Sequence, residues 1–406
     1  MSQRSGEQVT GPYGASGIGP LSGVRVLDLT INVLGPVATQ SLGDMGASVI
    51  KIEAPGGDPM RNNGPGRHPQ MSVFFLNLNR NKKSVLLDLK QPADRDKLFA
   101  LLEETDVFVH SMRSNAAERL GLNYEALSKK YPRLIFASAP GYNPTGPHRD
   151  RPAYDDVIQG ESGIAGMAQM STGVPAYFPT VMADKLCGVY LASAISMALY
   201  SRERTGVGQQ VLVPMYETML SFNLLEHMWT GALGEEGHLG YTRALSVHRK
   251  PFPTLDGHIC LLAISDDQWR RLFDVFERPD LAADARFSTL LARAENIELL
   301  YTIVGEHIST RSTAAWRHLL DQVDIPNGPM NRLNDLPLDP YLKETNFFEH
   351  YQHPSEGPLV RTAIPLHFSQ TPGSIRTPPP RLGEHTEEVL RSIQAQQTSS
   401  SKKENI

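Results

Sequence analysis

The chain has 406 residues, 40% hydrophobic and 20% charged, enough for two domains or for one large domain with an insertion, and too apolar for a disordered chain. Lys and Arg number 39 against 44 Asp and Glu, a net charge of −5, so the overall charge calls for no nucleic-acid partner and an anionic ligand must meet local cations. No run approaches the roughly 18 apolar residues of a membrane span, and the two cysteines, Cys187 and Cys260, sit far apart in apolar stretches. They read as buried free thiols of a reducing, cytoplasmic compartment rather than as a disulfide or a zinc site.

Residues 1–20 have one Arg and no apolar core, so they are expected to form a disordered tail and not a secretory signal or presequence. From there short β-branched or aliphatic runs at 24–30, 47–53, 84–89, 106–110 and 133–138 alternate with helical patterns at 36–46, 92–104 and 115–131. Strand, helix and strand in repetition predict a parallel sheet with helices on its faces, because each parallel pair needs a crossover. The fold class expected is therefore α/β, a Rossmann-like large domain over residues 21–230, with ligands at the carboxyl ends of its strands. A long helix is expected over 179–204, closed by Gly206, with a buried middle rich in small and apolar residues, then a strand at 209–215 and a helix at 216–229.

Past Gly234 the pattern changes. Two strands joined at Asp256–Gly257 suggest a hairpin, and Ser265 with Gln268 three residues on forms a capping box for a helix over 265–276. A smaller α+β domain is thus expected over 231–330. Density of Pro, Asn and Asp marks 325–340 as a linker, and residues 331–391 are expected to return to the large domain through a last helix, with a second disordered tail at 392–406. There are no internal repeats.

The usual nucleotide and hydrolase signatures are missing. After the first strand stands Ile-Asn-Val-Leu-Gly-Pro, and one glycine cannot bring backbone against a pyrophosphate as GxGxxG does, although Glu53 mimics a ribose-binding acid. GxxxxGK[ST], HExxH and GxSxG are absent, and the nearest serine context, residues 160–166, lacks the nucleophile-elbow spacing.

Eight blocks in order carry a stronger signal: residues 19–30, 46–61, 77–90, 117–122, 132–142, 151–163, the pair 183–188 and 202–211, and 379–390. Together they resemble the class III coenzyme A transferase family, also called CaiB/BaiF, from about Pro20 to Leu390. The resemblance implies an acyl-CoA:carboxylate CoA-transferase with a small thioester such as succinyl-CoA as donor, no permanently bound cofactor, and an interlocked homodimer. It places the family's nucleophilic aspartate at Asp184. A carboxylate that attacks a thioester must be ionised, and the first turn of the 179–204 helix is expected to favour negative charge, although an Asp there is ordinarily just a helix-start residue.

By the same resemblance CoA should contact Val33 and Leu34, the turn Leu78, Asn79, Arg80 and Asn81, then Met112, Arg113 and Arg119, with Tyr142 along the pantetheine path. Some relatives carry an adenine-stacking arginine where this chain has Ala54, and the glycine-rich lid of small-diacid enzymes has no counterpart in residues 239–258. Backbone N–H groups near Gly141 or in the Gly160–Gly166 stretch could serve an oxyanion, or could simply belong to turns. His248, Arg249 and Lys250 are candidate acceptor contacts. The fold also serves α-methylacyl-CoA racemases, whose acid/base histidine would fall where Tyr154 stands; a tyrosine titrating near 10 is a poor substitute. Core packing is the plainer role expected of Tyr154. A racemase-like isomerase and a non-catalytic acyl-CoA binding protein are the alternative readings.

Overall fold

The computed structural model describes residues 12–14, 17–234 and 236–403. Of the tails expected at 1–20 and 392–406, residues 1–11, 15–16 and 404–406 lie outside them. The chain forms two compact units, one built from residues up to 162, from 179–220 and from 346 onward, the other from 163–178 and 221–345. The smaller unit thus takes a segment from inside the expected large domain, and the return of the chain comes at residue 346, not 331.

The first unit opens with β1 (Arg25–Leu29), α1 (Leu34–Asp44), β2 (Ser48–Glu53), α2 (Val73–Leu78), β3 (Lys82–Leu86), α3 (Pro92–Leu102), β4 (Val107–His110), α4 (Ser114–Arg119), α5 (Tyr124–Lys130) and β5 (Ile135–Ser138). The helix expected over 115–131 is two helices, because Gly121, at φ +68, turns the backbone left-handed between them. After β5 come α6 (Asp155–Glu161), α7 (Ile164–Thr172, in the second unit), α8 (Met182–Thr205), β6 (Gln210–Leu212) and α9 (Met215–His227), whose last turns belong to the second unit. The sheet order is β3-β2-β1-β4-β5-β6 with every pair parallel, so the strand order reverses between β1 and β4. All of β2, β4 and β5 is buried, as expected of a sheet covered on both faces.

Within this interior lies a charged cluster. Lys51 pairs with Asp58 at 2.8 Å, Lys82 with Asp28 at 3.3 Å, and Arg61 with Glu53 at 2.7 Å, all with side chains essentially out of water. Glu53 therefore serves this cluster and not a ribose. The cluster also shapes the loop after β1: Lys51 Nζ donates to the Thr30 carbonyl, Thr30 N–H to Asp28, and Asn32 N–H to Asp58. Burial pulls the Lys82 ammonium down to about 8 despite Asp28.

The second unit contains α10 (Thr242–Leu245), β7 (Phe252–Pro253), β8 (His258–Leu261), α11 (Asp266–Val275), α12 (Pro279–Ala283), α13 (Leu290–Glu295), α14 (Ile297–Ile308), α15 (Thr313–Gln322), β9 (Asn327–Pro329) and α16 (Pro340–Glu344). The Asp256–Gly257 hairpin joins β7 to β8, and the Ser265–Gln268 capping box opens α11. The expected linker contributes structure instead: β9 pairs antiparallel with β8 because residues 325–329 close the sheet over a core that includes Trp269, Phe273, Leu300 and Trp316. Cys260, expected buried, faces outward because side chains alternate along β8, whereas Cys187 is buried.

Back in the first unit, β10 (Phe348–His353) and β11 (Gly357–Thr362) form a hairpin, and α17 (Thr386–Lys403) closes the chain. Val389 and Ile393 enter the core beneath β3 and α3, so the backbone stays helical to Lys403, past the point where composition alone placed a disordered tail. Tyr13 does the same at the other end: its ring is buried and its hydroxyl meets Thr105 Oγ1 at 2.5 Å, so an apolar ring and not the polar flanks decides the placement there.

α8 differs from expectation in its burial. One face, including Cys187, Leu191 and Ile195, is buried, whereas Val189, Tyr190, Met197 and Tyr200 on the other are exposed. By length and composition α8 is also apolar enough to cross a membrane, its 18-residue window reaching a mean hydropathy of 1.3, against the expectation that no segment would. Core helices of soluble proteins meet the same criterion, and α8 packs on α1, β5 and β6.

Candidate active site

Asp184 stands in the first turn of α8, where Val181 at the N-cap supplies no side-chain cap. The vacancy is filled from α6: Asp155 Oδ2 accepts the Asp184 N–H at 3.0 Å, satisfying one of the free donors of the helix start. Asp155 is itself buried and held by Gln159, whose Nε2 donates to Asp155 Oδ1 and, at 3.1 Å, to the Thr180 carbonyl. Two carboxylates therefore share one helix end.

The helix start does not hold Asp184 ionised as expected. Burial, and then the neighbouring Asp155 charge, push its carboxyl up to about 7. Raised in this way, the ionised carboxylate is more basic and more nucleophilic than an ordinary aspartate. The same surroundings push the Cys187 thiol up to about 12, which leaves it inert. Asp155→Asn keeps an oxygen for the Asp184 N–H and removes the charge, so the acidic limb of any Asp184-dependent rate should move to lower pH. An unmoved limb would show that Asp155 does not set it.

Gly188 lies one turn beyond Asp184 on the same side of α8. A Cβ there would come 2.7 Å from the Leu34 carbonyl oxygen and 2.9 Å from Val37, so the glycine lets α8 lie against the start of α1. This contact sets the α8 turn that follows Asp184 against Leu34, which with Val33 is buried beyond the carboxyl end of β1. Gly188→Ala should cost about 1–3 kcal/mol by overpacking and lower activity with it; urea melts matching those of the unaltered protein would contradict that close approach.

Across the strand-order reversal, the Ile31 N–H donates to Ser111 Oγ at 3.2 Å, joining the loop after β1 to the loop after β4 that carries Met112 and Arg113. Met112 N–H donates to His110 Nδ1, and burial lowers the His110 imidazole to about 4, so it stays neutral. Arg113 and Arg119 are exposed, and among the described residues neither has a carboxylate partner. The other expected contacts are committed to the fold. Arg80 holds Asp44 through Nε and Nη2 and the Thr362 carbonyl through Nη1, Asn81 bonds Asp44 and the backbone of residues 374–377, and Asn79 accepts from Lys82. Leu78 ends α2 beside them.

Tyr142, after β5, is buried and donates to Glu161 at 2.9 Å, and Glu161 also pairs with Arg151 at 2.7 Å. Gly141 is small because Ala153 Cβ would lie 2.5 Å from its own Cβ, and Gly163 is a left-handed turn at the start of α7. Tyr154, expected in the core, is instead 68% exposed, because it stands at the N-cap of α6 with its ring outside the turn. His248 and Arg249 lie in the second unit, His248 Nε2 at 3.4 Å from Glu298 and Arg249 exposed together with Lys250. Residue types alone did not single out Asp155, Gln159 or Gly188; the paired acids at 155–156 and the four-residue spacing from Asp184 to Gly188 were the available signals.

The family model for CoA-transferase family III matches residues 21–386. The chain belongs to this family. Human succinyl-CoA:glutarate CoA-transferase is 30% identical over 380 residues, 93% of this chain and 86% of that protein, and acetyl-CoA:oxalate CoA-transferase of Acetobacter aceti is 36% identical over 321 residues, 77% and 81% of the two chains. Among solved structures, Rv3272 from Mycobacterium tuberculosis matches with a TM-score of 0.79 and 31% identity, covering 91% of this chain and 99% of that one. A CaiB/BaiF family protein from Brucella suis matches with a TM-score of 0.76 and 27% identity, covering 93% and 100%. The family III member described here is thus an enzyme of the class that moves coenzyme A between carboxylic acids, with CoA thioesters as substrates.

Proposed function

We propose that Asp184 is the nucleophile of an acyl-CoA:carboxylate CoA-transferase whose donor is succinyl-CoA or a similar small thioester. The observation that carries this reading is the Asp184 carboxyl in the first turn of α8 with its N–H held by Asp155 at 3.0 Å, where burial and the Asp155 charge raise it to about 7. Family relatives named for succinyl-CoA, acting on glutarate or L-malate, support the donor.

The ionised Asp184 oxygen attacks the thioester carbonyl, and the tetrahedral intermediate expels the CoA thiolate to leave an acyl–aspartyl anhydride. The thiolate attacks the Asp184 carbonyl of that anhydride, which releases the donor acid as a carboxylate and leaves an aspartyl–CoA thioester. The acceptor carboxylate attacks this thioester, expelling thiolate again, and thiolate attack on the acceptor's acyl carbon regenerates Asp184. No water enters, so the thioester energy is kept. Val33, Leu34 and Met112 would flank CoA at the carboxyl ends of β1 and β4, Tyr142 its pantetheine, and the unpaired Arg113 and Arg119 its phosphates; Arg80 and Asn81 would act by shaping the neighbouring turn. His248 and Arg249 are proposed for the acceptor carboxylate.

The exposed apolar face of α8 supports the interlocked homodimer, since a second chain would remove Val189, Met197 and Tyr200 from water. The transfer assay is direct: succinyl-CoA with a panel of carboxylic acids should yield the acceptor's CoA thioester and free succinate in equal amounts. Deuterium entering the α-carbon of an acyl-CoA from solvent, without exchange of CoA between acids, would instead indicate an isomerase.

A further inference from the structure

The second unit holds a cavity of about 300 Å³ that the Asp184 chemistry does not use. Its wall is aromatic and aliphatic: Trp229 and Tyr241, with ring centroids 4.8 Å apart, Trp269, Leu290, Leu291 and Ile297. This is the size and character of a small-molecule site, in which an apolar wall carries a few placed polar groups. Leu290 and Leu291, neighbours at the start of α13, are 64% and 70% exposed, so the rim puts two adjacent large apolar side chains into water.

Two arginines complete the wall. Arg293 is buried and its charge is met by Asp266; its Nη1 donates to the Phe287 carbonyl, and its Nε is buried with no partner among the described residues. Arg243 is different. It donates from Nε to the Tyr301 hydroxyl at 3.2 Å and from Nη1 to the Tyr241 hydroxyl at 3.4 Å, both neutral phenols, and among the described residues it pairs with no carboxylate. The two phenols fix the guanidinium plane at the cavity wall, where no carboxylate among the described residues offsets its positive charge.

We propose that this cavity binds a monocarboxylic acid with an apolar body, an aryl or alkyl acid, with its ring or chain between the tryptophans and leucines and its carboxylate on Arg243. A cation without a counter-ion beside an apolar wall asks for one anion attached to one hydrophobic group. A dicarboxylate fits worse, because its second charge would face Trp269 and Ile297, and the other cation of the wall, Arg293, is already paired with Asp266. The proposal does not rest on the nucleophile assignment, since every residue it uses lies within the second unit.

The chain has three tryptophans, and the third, Trp316, is buried in the core with Nε1 donating to the Ile308 carbonyl. Intrinsic tryptophan emission therefore reports on the cavity. Full-length Asp184→Ala protein, which removes turnover, is titrated with phenylacetate, hexanoate and succinate. The expected result is a saturable emission change with the two monocarboxylates at a Kd at least tenfold below that for succinate, weakened at least tenfold by Arg243→Gln. Leu291→Asp, at an exposed position that folding does not need, should weaken it similarly and keeps the test alive should Arg243→Gln not fold. No saturable change with either monocarboxylate, equal binding of succinate, or indifference to both substitutions would overturn the proposal. So would concentration-dependent self-association abolished by Leu291→Asp with no response to either acid, since the cavity would then be a contact between copies.

Discussion

Asp184→Asn should abolish CoA transfer, by a factor of about 10³ or more, and at the same time make the folded protein more stable at pH 8. On the proposed mechanism an amide cannot form the anhydride, so turnover would be lost with the reacting atom. The gain in stability follows from the titration. The Asp184 carboxyl is raised to about 7 in the fold, against 3.8 for an unperturbed aspartate, so between those values the folded state holds a proton that the unfolded chain has released. The resulting penalty is absent below about pH 4, grows as pH rises, and is complete above about pH 7. At about 1.4 kcal/mol per unit, Asp184→Asn should recover about 2–4 kcal/mol at pH 8 and almost nothing at pH 4. Urea titrations of both proteins at the two pH values read this difference. A substitution that is neutral or destabilising at pH 8 would mean that the fold does not strain this carboxylate, and the basis for its reactivity would be lost.

The second large effect concerns the architecture. Arg61→Leu should cost about 3–5 kcal/mol, because it leaves Glu53 buried without its counter-charge. The guanidinium donates to both Glu53 oxygens at 2.7 Å, to the carbonyls of Gln70 and Pro380, and lies 3.6 Å over the Phe75 ring. It therefore ties the end of β2, the segment before α2 and the returning C-terminal segment to one another. Glu53 also receives Ser84 Oγ at 2.6 Å and the Asp58 N–H at 3.1 Å, which spreads the damage toward the loop after β1. A denaturant midpoint unchanged from the parent protein would show that these bonds are offset elsewhere.

The parallel sheet was legible because β-branched runs bounded by helical periods leave few alternatives, and the five strands expected before residue 140 are the five observed. The hairpin at Asp256–Gly257 and the Ser265–Gln268 capping box were legible for a related reason: their signals are local. What stayed hidden depends on distant partners. β9 forms from a Pro- and Asn-rich segment because β8 offers it a free edge, and α17 continues through polar residues because Val389 and Ile393 anchor it under β3 and α3. Division of the chain into units was equally hidden, since residues 163–178 join the second unit from within a stretch whose pattern matches its neighbours.

At the candidate site, the eight collinear blocks point to Asp184, but its surroundings raise the carboxyl where position at a helix start predicts the opposite. A helix start favours a carboxylate only while its N–H groups are free and water is near. Here Asp155 takes the N–H and burial removes the water, and neither follows from position in a helix. Arg80 and Asn81 likewise look from sequence like exposed polar residues of a turn; only the placement of Asp44 and the 374–377 backbone shows them spent on the fold.

The most direct test of the account is the intact mass of the protein after brief mixing with succinyl-CoA, for the unaltered chain and for Asp184→Ala. A CoA-sized adduct is expected on the unaltered chain only, removed by alkaline hydroxylamine as an aspartyl thioester would be. No adduct on the unaltered chain with any of a panel of acyl-CoAs while CoA still binds, or an adduct of equal yield on Asp184→Ala, would contradict it.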